Sequence, residues 1–296
     1  MRKISAVTTC HDKGYAAYGR DMIQSFDQHV PTDVSLLIYT ENFDPELHSP
    51  RLIYRDLHAS CPELVAFKQR HKNNPLAHGG GRKKFKFKMN LKKPSIKIKR
   101  VKVLNGYQWD AVRFSHKMFS IFNAAKLCDS DILIWLDADI FIFRDIPKNF
   151  LDPLLPGNCL VSYLARPNYY SECGFVGYNL RHPAIWDFLC EFEDYYRKDS
   201  IFKLPEFHDS YVFDVVRRHF EQQGCLTYDL SQGVGTIADH VFVNSQLGQY
   251  MDHKKGERKL SGKSHPSDFV VDRNEQYWRD ANKPVACDTT ANDEAN

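Results

Sequence analysis

Ile132-Leu133-Ile134-Trp135-Leu136-Asp137-Ala138-Asp139 is the stretch that decides how the rest of the chain is read. Five apolar residues run without alternation, which fits a strand covered on both faces rather than one with a wet side. Asp137 stands where that strand should end. On an extended backbone successive side chains point opposite ways, so Asp137 and Asp139 share a face with small Ala138 between them. Two carboxylates aimed at one spot repel unless a cation lies there, and burying them unpaired is costly. A hard divalent ion such as Mn²⁺ or Mg²⁺, which takes oxygen ligands and leaves positions for phosphates, fits that demand.

Working outward, residues 4 to 8 read as a strand, 15 to 29 as a helix and 34 to 39 as a second apolar strand. Buried strands alternating with helices predict an α/β fold, a Rossmann-like, mainly parallel sheet flanked by helices. Ligands of such sheets gather beyond the carboxyl ends of the strands, which draws in Thr8, Thr9, Cys10 and Thr40. Residues 109 to 127 read as a helix with Met118, Ile121, Phe122 and Ala125 as its core stripe. Arg113 and Lys117 sit four apart on one face. Such a pair repels by about a few tenths of a kcal/mol when merely solvated, a cost easier to understand with an anion between them. Pro183 suits the first turn of a helix carrying Ile185, Phe188, Leu189 and Phe192 inward. Another helix is expected over 209 to 220, and irregular chain after Asn244.

The chain has 296 residues, 43% of them apolar, enough for one large domain. We expect that domain to span 1–265, with a basic insertion at about 67–105 and an extension at 266–296 whose end is disordered. Residues 68 to 102 hold 14 Lys and Arg and no Asp or Glu, leaving 26 basic against 37 acidic residues elsewhere. Within this segment His78-Gly79-Gly80-Gly81 reads as a hinge, followed by lysines alternating with apolar residues, a pattern capable of forming a hairpin. A solvated lysine-rich loop is one reading. A surface for an anionic acceptor is the other, whether glycan, lipid-linked saccharide, nucleic acid or membrane. Neither a secretory signal nor a transmembrane segment of roughly 20 apolar residues is visible. The eight cysteines show no CxxC pair, so reduced thiols and a cytoplasmic location are expected, with a peripheral place at the membrane as the alternative.

A second constellation is His253-Lys254-Lys255-Gly256-Glu257-Arg258-Lys259, spaced HxxGxxK. A neutral imidazole can complete a metal shell, glycine lets backbone approach a diphosphate, and lysine neutralises it. The succession LDADIF, SECGFVGYNLRHP, FHDS and HKKGERK resembles the retaining GT-A glycosyltransferases that include glycogenin and bacterial lipopolysaccharide galactosyltransferases. The resemblance implies Asp137, Asp139 and His253 as ligands of Mn²⁺. It implies a donor-binding set of Thr8, Thr9, Arg113, Lys117, Asp137, Gly256 and Lys259 around a nucleotide-sugar, a UDP-sugar in that family. Gly174 to Asn179 resembles the family's strand beside the sugar, and Asp209 its acid near the donor sugar, taken here as the catalytic candidate. The family's motif continues as KPW, whereas Lys259 is followed by Leu260-Ser261, and residues 67 to 105 have no counterpart.

Two other readings stay open at this level. Asp137-Ala138-Asp139 also resembles the DxD of haloacid-dehalogenase phosphatases, although position 141 is Phe and the strand lies in mid-chain. A non-catalytic nucleic-acid-binding protein built around the basic segment is the other.

Overall fold

A computed structural model describes residues 2–80, 82–90, 95–104, 106–232, 234, 240–256 and 258–280. The strands in chain order are β1 (Ile4–His11), β2 (Ser35–Glu41), β3 (Leu52–Asp56), β4 (Arg82–Asn90), β5 (Ser95–Leu104), β6 (Ile132–Leu136), β7 (Ile140–Ile142), β8 (Cys159–Leu164), β9 (Glu172–Asn179), β10 (Leu226–Asp229) and β11 (Met251–His253). Five longer helices matter to the site: α1 (Arg20–His29), α2 (Pro62–His71), α3 (Ala111–Leu127), α4 (Ile185–Arg197) and α5 (Asp209–Gln222). Seven strands form the central sheet in the order β10-β8-β9-β6-β1-β2-β3. All its pairings are parallel except those of β9, which runs against β6 and β8. This is the mainly parallel α/β sheet expected.

The unalternating run before Asp137 has its reason in the core. Leu133 and Trp135 pack into one apolar layer with α3, α4 and α5, while Ile132, Ile134 and Leu136 pack into the opposite layer with α1. Both faces of β6 are therefore dry, and each large apolar side chain buried there contributes about 1.5–3 kcal/mol. The predicted stripe on α3 is buried as expected, from Met118 through Ala125. Asp110 caps α3 by accepting the Arg113 N–H at 3.0 Å. Helix α4 begins at Ile185, and Pro183 stands in the turn before it.

Three boundaries move. β1 extends to His11, not to Thr8, so Thr8 pairs with Ile38 inside the sheet and is fully buried. Phe67 does not open an insertion. It is fully buried on α2, where Leu64, Phe67 and His71 share the inward face by helical spacing, so residues 67 to 71 belong to the helical layer. Gly79 and Gly80 are not a free hinge, because Gly79 takes a left-handed φ of 73° and donates its N–H to Trp109 O at 3.1 Å. A side chain on Gly80 would collide with the backbone of Pro75. β4 and β5 then pair antiparallel as a hairpin.

Residues 266–280 belong to the packed body. Trp278 is buried and donates its indole N–H to Gly248 O at 2.8 Å, and Tyr277 stacks on Phe143 with ring centres 4.2 Å apart. The expected disordered end, residues 281–296, lies outside the described residues, as do Gly81 and Cys287. The seven described cysteines are free. Among the described residues no helix is long and apolar enough to cross a membrane.

Candidate active site

β6 ends at Leu136, and Asp137-Ala138-Asp139 carries the chain across to β7. This crossing is fixed by backbone bonds. Asp137 N–H donates to Gly174 O at 2.9 Å, and Ile140 N–H donates to Asp137 O at 3.1 Å. β7 pairs antiparallel with β11, with Ile140 opposite His253, and Lys254 N–H donates to Asp139 O at 3.1 Å. Where irregular chain was expected after Asn244, a three-residue strand thus brings His253 beside the aspartate pair from over a hundred positions away.

His253 Nε2 lies 3.1 Å from Asp139 Oδ1 and 3.6 Å from Asp137 Oδ2. One donor atom from each of the three lies within 4.8 Å of the other two. Two carboxylates and an imidazole suit a hard divalent ion such as Mn²⁺ or Mg²⁺. The other ring nitrogen of His253, Nδ1, is 3.2 Å from Glu172 Oε1, and that oxygen also accepts the Gly174 N–H at 2.8 Å. A carboxylate behind a ligating histidine fixes the ring's orientation and raises its basicity. Gly174 is required by the ring itself, since a Cβ there would stand 2.5 Å from His253 Cε1 and Nδ1.

Around these groups the ammonium ions take the positions a cation would neutralise. Lys259 Nζ is 2.6 Å from Asp139 Oδ2, and Lys117 Nζ is 2.9 Å from Asp137 Oδ1 and 2.7 Å from Asp209 Oδ2. Lys117 also donates to Cys173 O at 2.6 Å, and the Trp135 indole N–H donates to Asp137 Oδ1 at 2.6 Å. The protonation pattern follows. Burial opposes charge on His253, but Asp139 and Glu172 outweigh it and raise its pKa to about 10. Burial likewise opposes ionisation of Asp139, yet His253 and Lys259 hold its carboxyl well below the usual range. Asp137 is shifted upward by burial, with Lys117 pulling the other way and Asp139 adding to the rise. Burial also opposes charge on Lys117, which Asp137 and Asp209 nevertheless keep protonated. An ion held by Asp137, Asp139 and His253 would have to displace the His253 proton and compete with the Lys117 and Lys259 ammonium groups.

The structure thus gathers Asp137, Asp139, His253, Lys259, Lys117 and Asp209 into one cluster. Gly256 sits in the turn between His253 and Lys259 at φ 61°, a left-handed conformation that favours glycine. Lys117 has carboxylates as its partners, so the anion that the sequence seemed to want between Arg113 and Lys117 is protein on the Lys117 side. Arg113 is exposed, its guanidinium 5.9 Å from the Phe114 ring. Thr8 is shut inside the sheet with its hydroxyl unpartnered among the described residues, and Thr9 donates its hydroxyl to Tyr39 O at 2.9 Å. Neither threonine joins the cluster. Glu172 and Trp135 escaped the sequence reading. A carboxylate two residues before the close-packed Gly174 was the available signal for Glu172.

No protein-family model matches the chain, and no curated protein sequence matches it. Among solved structures it is similar to mouse xyloside xylosyltransferase 1 in its apo form, at 12% identity and a TM-score of 0.46, over 77% of this chain and 85% of that one. It is also similar to the WbbM bifunctional glycosyltransferase in its apo form, at 13% identity and a TM-score of 0.46, over 90% of this chain and 50% of that one. A third is the apo-form glycosyltransferase GlyE of Streptococcus pneumoniae TIGR4, at 12% identity and a TM-score of 0.40, over 77% of this chain and 46% of that one. The chain therefore spans about half the length of the last two.

Proposed function

We propose that this chain is a GT-A glycosyltransferase that moves a sugar from a nucleotide-sugar, a UDP-sugar, to an acceptor hydroxyl with retention of configuration. The observation that carries the reading is the convergence of Asp137, Asp139 and His253 with Lys259 at the end of a central strand. Separately, each of these residue types is common on protein surfaces. Assembled, with Asp139 and His253 buried and Asp137 and Lys259 partly open, they suit a divalent ion with a diphosphate against it.

Mn²⁺ or Mg²⁺ held by these three residues would supply Lewis-acid stabilisation of the charge on the departing diphosphate. The chain's own groups do the rest. Lys259 can leave Asp139 for a phosphate oxygen and neutralise charge that grows as the sugar leaves. Gly256 gives the loop before it the curvature to approach that phosphate. Glu172 keeps His253 turned toward the aspartates, and Lys117 bridges Asp137 and Asp209 and fixes both in position. Asp209, paired with that ammonium at 2.7 Å, orients the sugar and stabilises positive character at its anomeric carbon. The acceptor is a hydroxyl compound, and the basic stretch around β4 and β5 favours an anionic one.

The dehalogenase-type alternative needs Asp137 as a free nucleophile. Its Oδ1 accepts from Lys117 and Trp135 and its Oδ2 faces His253, which leaves it better arranged to hold an ion than to attack phosphorus. The decisive experiment is a panel of nucleotide-sugars with Mn²⁺, read by donor hydrolysis so that no acceptor need be known. Hydrolysis of a UDP-sugar that requires the metal and disappears in Asp139→Ala and His253→Ala is expected. Metal-dependent UDP binding that survives in both variants would sink the site assignment.

A further inference from the structure

A second group of donor atoms converges where β2 and β3 end, and the proposed transfer does not use it. Glu41 is the last residue of β2. His58 lies on the four-residue helix Leu57–Ser60 that follows β3 directly and is capped by Asp56, whose carboxylate accepts the Ala59 N–H at 2.6 Å. His116 comes from α3, one residue before Lys117, so the two side chains leave the helix about 100° apart. One donor atom from each of Glu41, His58 and His116 lies within 4.8 Å of the other two. Glu41 Oε1 and His116 Nδ1 are already 3.2 Å apart, a ligand-to-ligand distance suited to a shared ion. The second nitrogen of His116, Nε2, is buried with no partner among the described residues.

We propose that Glu41, His58 and His116 form a second metal site, for a divalent transition-metal ion of the Zn²⁺ class, separate from the Asp137, Asp139 and His253 group. The donor chemistry sets the class. Two imidazoles and one carboxylate suit Zn²⁺ with a position left for water or another ligand, whereas the oxygen-richer group with two aspartates suits Mn²⁺ or Mg²⁺. The geometry also contains its own competitor. Lys68 Nζ lies 2.9 Å from His58 Nε2, so an ion bound through that nitrogen would have to displace the ammonium, much as at Asp139 with Lys259. The three ligands come from a strand end, a capped helical turn and a long helix. An ion would tie residues 58 and 116 together across the stretch that carries the basic hairpin.

The test uses the 296-residue chain stripped of metal by chelator, titrated with Zn²⁺ by calorimetry and followed by thermal melting. One equivalent of Zn²⁺ should persist in the Asp139→Asn/His253→Gln double variant. It should weaken by more than about 100-fold in His116→Ala and in His58→Ala, since losing a ligand exceeds the effect of losing its supporting partner. It should tighten in Lys68→Gln, and Zn²⁺ should raise the Tm of the parent chain but not of the two histidine variants. His58→Ala, on a half-exposed turn, covers the case in which His116→Ala does not fold. Zn²⁺ binding unchanged in both histidine variants would overturn the proposal, as would its complete loss in the Asp139→Asn/His253→Gln variant. If the histidine variants lost UDP binding and kept their zinc, the cluster would belong to the nucleotide contact and the proposal would fall.

Discussion

His253 and His116 are both largely buried imidazoles with a carboxylate about 3 Å away, yet their protonation is pushed in opposite directions. His253 stands among Asp137, Asp139 and Glu172, and its pKa rises to about 10 despite burial. Burial dominates at His116 and is reinforced by Lys68, His58 and His11, so its pKa falls to about 3. The sign is set by the count of charges around the ring, because desolvation alone always favours the neutral form. The first corner is an anionic hole already filled by protons and ammonium groups. The second holds two imidazoles and one carboxylate, with His116 pushed toward its neutral form by burial, and its nitrogen-richer donor set is why a different ion is assigned to it.

The comparison can be broken most directly at Asp139. Asp139→Asn should lower Mn²⁺ affinity and Mn²⁺-dependent donor hydrolysis by more than about 100-fold while leaving the Glu41 corner intact. Equal Mn²⁺ affinity in calorimetry with the parent and the variant would remove the contrast between the corners. Gly174→Ala is next. Its Cβ would press on the His253 ring, and we expect about 1–3 kcal/mol of destabilisation by urea unfolding together with weakened Mn²⁺ binding.

Glu172→Gln sharpens the comparison, since it removes the charge behind His253 and keeps the shape. A loss of about 10- to 100-fold in Mn²⁺ affinity is expected, with the metal-free fold retained by circular dichroism. The two histidines also predict a stability profile with two limbs. His253 has a folded pKa above its unfolded value, so its contribution is full below about pH 6.5 and is lost as pH rises through about 10. His116 has a folded pKa below its unfolded value, so the unfolded chain takes the proton first, and stability is lost as pH falls from about 6.5 toward 3. Melting the chelator-treated chain across pH should show the alkaline limb flattened in His253→Gln and the acid limb flattened in His116→Gln. The smallest effect belongs to Gly256→Ala, about 1–2 kcal/mol of strain at a left-handed position, read as a modest rise in the concentration of UDP needed for half-saturation.

Much of the first corner was legible without coordinates. Asp137 and Asp139 were marked by the dry strand before them, and His253, Gly256 and Lys259 by their spacing. Lys117 was legible as a residue and misread as to its partner, because a lysine on a helix gives no sign that two carboxylates from other elements will close on it. Thr8 and Thr9 drew attention through a strand end placed too early. The polar residues in Thr8-Thr9-Cys10-His11 look like a loop until pairing with β2 continues through them. The second corner left no mark at all, since Glu41, His58 and His116 follow no motif spacing.

The sequence by itself determined the elements whose signal is local: the buried strand β6, the helix stripes and the tripeptide that ends the strand. Periodicity and burial act over a few residues, and a single chain carries them openly. Only the tertiary structure decided which distant groups meet. The three-residue pairing of β7 with β11 carries His253 to Asp139, and Glu172 and Lys117 then orient and neutralise what has met there. Such short strands have no periodicity long enough to read, and their side chains acquire partners only when the sheet has been assembled around them.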